Sequence, residues 1–373
     1  MKTKQYFFTY FLLTLFLSGV SLAQQSAKQP FFKAADGMQW LSTDLHIHTV
    51  FSDGSVWPSI RVEEARREGL DLIAMTEHLE YQPHSEDIPH PDRNRSYAIA
   101  SDALREGDRL EVINGSEITR DIAPSGHFNA VFIQDANALL HKDSLTGILE
   151  ANKQNAFVFW NHPNWDKTGI ARLEPFQQYL VENKLLQGIE MVNETTYSEE
   201  AFQIALDHNL TLMGGSDIHG LTEWSHGISS GGHRPMTFVS VPSSARLSDV
   251  KQALFEGKTV VWHKDIILGK KAYLVPLIKE NLVVTQAYYP KDKTLMQLTL
   301  SNHSAMPFEL QYVGAYSFHE QSDVFRIPAG ETLHLKIKTV SKKERIELPF
   351  LVLNALTAPK EHPKISWDAI PQK

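Results

Sequence analysis

The sequence predicts an α/β chain in which a closed or nearly closed barrel is followed by a small antiparallel β-sandwich. Three observations predict it. Between residues 39 and 262, short apolar β-rich runs alternate with helical ones, which is the pattern of parallel βα units. After Gly269 strand-like runs follow one another through turn-rich pieces such as Pro328-Ala329-Gly330, with no helical period between them. Finally, residues able to bind a metal stand at or just past the ends of the barrel runs, where barrel enzymes keep their chemistry.

The predicted barrel strands are residues 40–48, 70–76, 110–117, 127–133, 156–161, 188–192, 210–215 and 236–241. Helices are predicted over 58–67, with Pro58 near its first turn, and over 95–105, 143–154, 174–183, 198–208 and 248–256, with Asp143 as a cap. This many units favours a barrel over an open sheet. In the tail, strands are predicted over 274–278, 295–301, 308–313, 331–337 and 346–354. The resulting organisation is a leader (1–23), a linker (24–38), a barrel domain (39–270) and a β-sandwich domain (271–373).

The leader reads as a Sec-type signal peptide, because Lys2 and Lys4 precede an apolar stretch that ends in Ser21-Leu22-Ala23. It predicts a secreted or periplasmic protein with no membrane association after cleavage. Removing the leader takes two lysines and no acidic residue, so the formal charge moves from −8 to −10. A mildly acidic chain without a basic face disfavours nucleic acid as a partner. The chain has no cysteine, which excludes disulfides, thiolate ligands and a lipidated-cysteine anchor. Any metal site must therefore use nitrogen and oxygen alone.

The candidate ligands are read motif by motif. In Asp44-Leu45-His46-Ile47-His48 the two histidines face one side of a strand, so both imidazoles can meet one ion. Asp44 shares that face and is expected to accept an imidazole proton. Asp53 follows in the turn TVFSDG, and His78 ends the second strand in MTEHLE. Glu117 ends the run LEVINGSE and can bridge two cations through its two oxygens. His127 in SGHFNAV is the weakest member, and His162 in Asn161-His162-Pro163 follows a strongly apolar run. Asp217 and His219 in GGSDIHG follow Gly214 and Gly215, where the backbone can pass close to a ligand.

These motifs together resemble the PHP (polymerase and histidinol phosphatase) superfamily over about residues 41–262. With the leader and the β-rich tail, the chain is most similar to the exported Sb-PDE phosphodiesterases within it. The resemblance implies a distorted (β/α)7, TIM-like barrel that holds two or three divalent ions (Mn, Zn or Fe) and hydrolyses phosphate esters. It places His46, His48, Glu117 and Asp217 on one ion, with Glu117 and Asp217 as the catalytic carboxylates. Glu117, His127 and His162 would hold a second ion, and Asp53, His78 and His219 a third. The sequence departs from the family at Glu77, where Asp is usual, which puts in doubt how the residue before His78 supports the site.

The implied reaction is attack of a metal-bridging hydroxide on a small phosphate ester, between ions about 3.5–4 Å apart. Candidate substrate-binding residues are Arg234 and His233 in SSGGHRP, and Arg95 or Arg93 in the long loop 81–96. His226, His233 and Glu77 are the candidate leaving-group acids. His84 and His90 read as exposed loop residues, and Trp160, Trp165 and Trp224 as either pocket walls or packing. A metal-dependent amide or lactone hydrolase, and a metal-containing binding protein without activity, are the alternatives in other classes.

Overall fold

A computed structural model describes residues 30–120, 126–165 and 168–372. The leader and the first part of the linker lie outside the described residues. The first domain contains β1 (Met38–Asp44), β2 (Leu72–Met75), β3 (Glu111–Arg120), β4 (Gly126–Val131), β5 (Phe157–Trp160), β6 (Gly188–Asn193), β7 (Thr196–Tyr197), β8 (Thr211–Gly215), β9 (Met236–Pro242), β10 (Thr259–His263) and β11 (Ile266–Gly269). Around these lie α1 (Pro58–Glu68), α2 (Arg95–Asp102), α3 (Ser144–Lys153), α4 (Pro175–Glu182), α5 (Glu199–Asp207), α6 (Thr222–His226), α7 (Leu247–Phe255) and α8 (Lys271–Asn281).

The sheet runs β11-β10-β9-β1-β2-β3-β4-β5-β6, with β8 added parallel to β6. Its pairings set seven strands, β1, β2, β3, β5, β6, β8 and β10, in one direction. The other long strands, β4, β9 and β11, run against them. The sequence predicted parallel units throughout, but only residues 121–125 separate β3 from β4, too few for a crossover. β4 therefore returns as a hairpin between β3 and β5.

The barrel closes where β8 meets β9 and β10 through side chains. Thr237 Oγ1 donates to the Gly214 carbonyl and accepts from its N–H, both at 2.8 Å. Thr259 Oγ1 donates to Leu212 O at 2.8 Å. A Cβ on Gly214 would lie 2.4 Å from Val261 Cγ1, so only glycine lets the wall close this tightly. The helices follow their local signals. Pro58 opens α1 and Gly69 ends it with a left-handed φ of 75°, Asp143 caps α3 through Thr146 N at 2.8 Å, and Ser198 caps α5.

The tail forms two four-stranded sheets. One has the order β12 (Leu282–Tyr288), β13 (Leu295–Asn302), β17 (Thr332–Lys338), β15 (Ser317–Phe318). The other has the order β16 (Val324–Ile327), β14 (Phe308–Tyr312), β18 (Ile346–Val352), β20 (Lys364–Ala369). The strand predicted over 274–278 is instead part of α8. Leu274, Leu277 and Ile278 are its buried residues, an i, i+3, i+4 set that a short apolar run hides from inspection. One apolar core joins the domains, running from Phe238, Trp262 and Leu274 to Leu298, Phe350 and Trp367. The short β19 (Ala355–Leu356) pairs parallel with β11, so the second domain extends the sheet of the first. Among the described residues no helix is long and apolar enough to cross a membrane.

Candidate metal centre

The ligand motifs follow β1, β2, β5 and β8, lie within β3 at Glu117 and open the antiparallel β4 at His127, and these directions bring them to one end of the barrel. His46 and His48 are fully buried, with Nε2 atoms 3.1 Å apart. Asp217 Oδ1 lies 3.1 Å from one and 3.0 Å from the other. Glu117, fully buried, occupies the middle. Its Oε2 faces His46, His48 and His78 at 3.5, 3.3 and 2.9 Å, while Oε1 faces His127 and His162 at 2.9 and 3.6 Å. Asp53 meets His219 at 3.1 Å and His78 at 3.4 Å.

All nine predicted ligands are thus in one cluster, His127 included. Four overlapping groups have ligand atoms within 4.8 Å of one another: His48, Asp53, His78 and His219; His46, Glu117 and His162; His46, His48 and Asp217; and His78, Glu117 and His127. The partition differs in detail from the one the resemblance implies, since His48 also joins the Asp53 group and His78 also meets Glu117 and His127.

The backbone is strained where it presents two of these ligands. His162 has φ +27° and Asp217 φ +49°, in the left-handed region that residues with a Cβ seldom adopt. Gly215 explains the close approach beneath them. A Cβ there would lie 2.5 Å from Glu190 Oε1 and 2.7 Å from His46 Cβ.

Glu190, within the apolar run of β6, is the residue that sequence reasoning missed. Its Oε1 accepts from His46 Nδ1 at 2.9 Å, which leaves Nε2 free to bind metal. Its Oε2 accepts from His162 N and Asn193 Nδ2, both at 2.9 Å. The expectation that Asp44 would take an imidazole proton is corrected: Asp44 accepts from Ser216 Oγ at 2.6 Å and Arg234 Nη1 at 2.9 Å. Charge within an otherwise apolar strand was the available signal for Glu190.

Arg61 was also missed. Fully buried on α1, it has all five N–H donors engaged: Nε with His48 O, Nη1 with Glu64 and Gly220 O, and Nη2 with Ile218 O and His219 O. It pins the carbonyls of the first and last ligand motifs to one helix.

Two predicted substrate residues are corrected. Arg234 is fully buried, bonded to Asp44 and, through two nitrogens, to Glu68 at 2.7 and 2.8 Å. It clamps the end of β1 to α1 and is closed to substrate. Both ring nitrogens of His233 meet backbone carbonyls, of Arg234 and Lys264, and its ring lies on Trp262, 4.0 Å between centroids, away from the cluster. Arg95, the third candidate, is exposed at the start of α2.

The neighbouring candidates have structural work. Arg93 Nη1 and Nε fold its own loop onto Gln82, His90 O and Leu79 O. His90 is buried against Phe51 O at 2.9 Å, so it is not an exposed loop residue. Glu77 is buried and accepts from Thr49 N and from the hydroxyls of Thr49, Ser52 and Ser96. The longer side chain at this position thus braces the turn leading to Asp53. His226 borders a separate cavity of about 610 Å³ beside His233 and Trp262.

Electrostatics show what the cluster needs. Burial alone would raise the Glu117 and Asp217 carboxyls, yet the surrounding imidazoles hold both well below the usual range. Burial would likewise lower the histidines, yet Glu117 and Asp53 push His78 up to about 11, Asp217, Glu190 and Glu117 raise His46, Glu117, Asp217 and Glu190 raise His162, and Asp53 and Asp217 raise His219. The protein alone satisfies this cluster with protons held between carboxylates and imidazoles. Even so, Asp53 Oδ1, Glu117 Oε2 and His127 Nδ1 are buried without a hydrogen bond. Divalent cations fit such a set of donors, and a nitrogen and oxygen set suits Zn²⁺, Mn²⁺ or Fe²⁺. Glu194, at the end of β6, is a further acidic group near this centre, and its carboxyl is raised by burial and by the charge of Asp217.

A mixed sheet curled into a barrel, with imidazoles and carboxylates converging at one end, defines a metal-dependent hydrolase. The solved two-domain protein from Bacteroides vulgatus, described as containing a predicted PHP-like metal-dependent phosphoesterase, is 32% identical. Its match covers 92% of this chain and 99% of that one, with a TM-score of 0.83. The chain belongs to this family of PHP-like metal-dependent phosphoesterases. Residues 282–368 match a family model described as an Ig-like domain. An amidohydrolase from Chromobacterium violaceum (15% identity, 59% of this chain and 97% of that one, TM-score 0.39) is a much looser match. So is a lesion-specific endonuclease from Pyrococcus furiosus (15%, 66% and 62%, TM-score 0.41). At that level the likeness bears on neither activity nor substrate. No curated protein matches the chain.

Proposed function

We propose that this phosphoesterase acts on small phosphodiesters, outside the cytoplasm, using two or three divalent ions held by the nine clustered side chains. The observation that carries the reading is the position of Glu117, whose two oxygens face different histidine groups, as a carboxylate bridging two ions would. When bound, the ions supply an acidified water and neutralise charge on the phosphoryl oxygens. The chain's own residues do the rest. Glu190 sets the His46 tautomer and orients the His162 backbone. Asn161 Nδ2 donates to Glu117 Oε1 at 2.9 Å and Asn193 Nδ2 to Asp217 Oδ2 at 3.3 Å, holding both carboxylates in place as charge shifts around them.

The preference for diesters rests on the resemblance to exported phosphodiesterases of the family, and the location on the leader-like first 23 residues. The mature protein should be loaded with Mn²⁺ or Zn²⁺ and given bis-(p-nitrophenyl) phosphate and p-nitrophenyl phosphate. Faster diester turnover is expected. Faster monoester turnover overturns the diester preference, and no turnover of either overturns the activity itself.

A further inference from the structure

Two of the most exposed aromatic side chains among the described residues belong to segments that carry the ligands. Trp165 is 75% exposed and Trp224 is 74% exposed. Neither serves the core. Trp165 packs edge-on to two ligand rings, with centroids 5.3 Å from His162 and 5.6 Å from His127. The backbone N–H of Trp165 donates to the carbonyl of His162 at 2.8 Å, so the strained turn that presents the ligand also presents the indole. Trp224 belongs to the segment following His219, with its Cε3 atom 3.3 Å from where a Gly220 Cβ would be. Tyr81, 53% exposed, lies 6.0 Å from the His78 ring.

We propose that Trp165 and Trp224 form two ring-stacking subsites, one for each substituent of a phosphodiester whose ester groups carry flat rings. The inference rests on the phosphodiesterase reading and deepens it. The two indoles stand in different places along the chain of ligands: Trp165 packs on the His127 and His162 rings, and Trp224 lies in the segment that follows His219. A phosphate held at the ions has substituents leaving it in different directions, and a diester needs two surfaces where a monoester needs one. Both indoles present open faces, and stacking on them accepts any planar ring without demanding a particular hydrogen-bond pattern.

The test compares bis-(p-nitrophenyl) phosphate with methyl p-nitrophenyl phosphate in the metal-loaded wild-type protein and in Trp165→Ala, Trp224→Ala and the corresponding Phe variants. Metal content is measured on every sample. Both substrates lose the same aryl group and differ only in the substituent retained. One alanine variant should therefore lower the diaryl-to-methyl ratio of kcat/KM about tenfold, and the other should raise KM for both substrates about tenfold. Phe should restore most of each effect, and metal content should match wild type. Unchanged KM values and ratio overturn the proposal, as does a loss that follows lost metal, which would make the indoles mere shields for the histidines. Calorimetry with phenylphosphonate and methylphosphonate separates this inference from the activity it rests on. Tighter phenyl binding that the alanine variants abolish supports the subsites even without turnover, and equal binding of the two overturns them.

Discussion

Glu117 and Glu190 divide the labour at the centre of the site. One presents both oxygens to the histidines, and the other holds two of the ligand-bearing residues in register from behind. Glu190→Gln keeps the shape but loses the charged acceptor for His46 Nδ1. Metal affinity should fall about 10- to 100-fold, with activity restored by excess metal in a titration. Full activity at limiting metal would remove Glu190 from the site. The protons that the cluster holds also make a prediction about pH. His78 is raised from its ordinary value to about 11, so its contribution to the stability of the metal-free fold is complete below about pH 6.5 and is lost as pH rises through the folded value. The melting temperature of chelator-treated protein should therefore fall between about pH 7 and pH 9, while that of the metal-loaded protein, whose histidines are already deprotonated, should not. Parallel curves for the two forms would contradict this. Most of the ligands were legible because they stand at or just past the end of a run of apolar residues, while His127, which opens its strand, carried the weakest signal. The residues that orient them were not, because Glu190 and Arg61 lie within buried elements where the sequence marks them only as charges out of place.

At the level of elements, the site depends on buried arginines that tie helix α1 to the loops carrying the chemistry. Arg234 joins Asp44 on β1 to Glu68 on α1, and Asp44 in turn holds Ser216, the residue before the strained ligand Asp217. Arg234→Ala takes the shared arginine from two largely buried carboxylates and should cost about 3–5 kcal/mol by denaturant titration. A loss of substrate affinity with stability unchanged would return Arg234 to the substrate role the sequence suggested. That suggestion failed for a physical reason: a glycine-rich segment after a ligand motif looks like a phosphate loop, while the depth of one arginine in it depends on contacts with a helix some 170 positions away. The same limit explains α8. Leu274, Leu277 and Ile278 suit a strand or a helix equally, and packing against the second domain decides between them.

In the whole molecule, the barrel and the sandwich share one apolar core and one sheet edge, through β11 and β19. Calorimetry should therefore record a single cooperative unfolding transition. Two well-separated transitions would show that the domains are independent. The alternation of elements made the barrel legible, and the change of texture after Gly269 marked the second domain, but the antiparallel return of β4 and β9 depends on how connections close in space. The account as a whole stands on nine side chains from distant parts of the chain forming one cation site. Its most direct test is metal analysis of the purified protein beside Glu117→Gln. Wild type should carry about two or three equivalents of Zn, Mn or Fe per chain, and the variant less than half of that. Wild-type protein that binds no divalent ion after exposure to all three, or a variant that retains the full complement, would contradict the account.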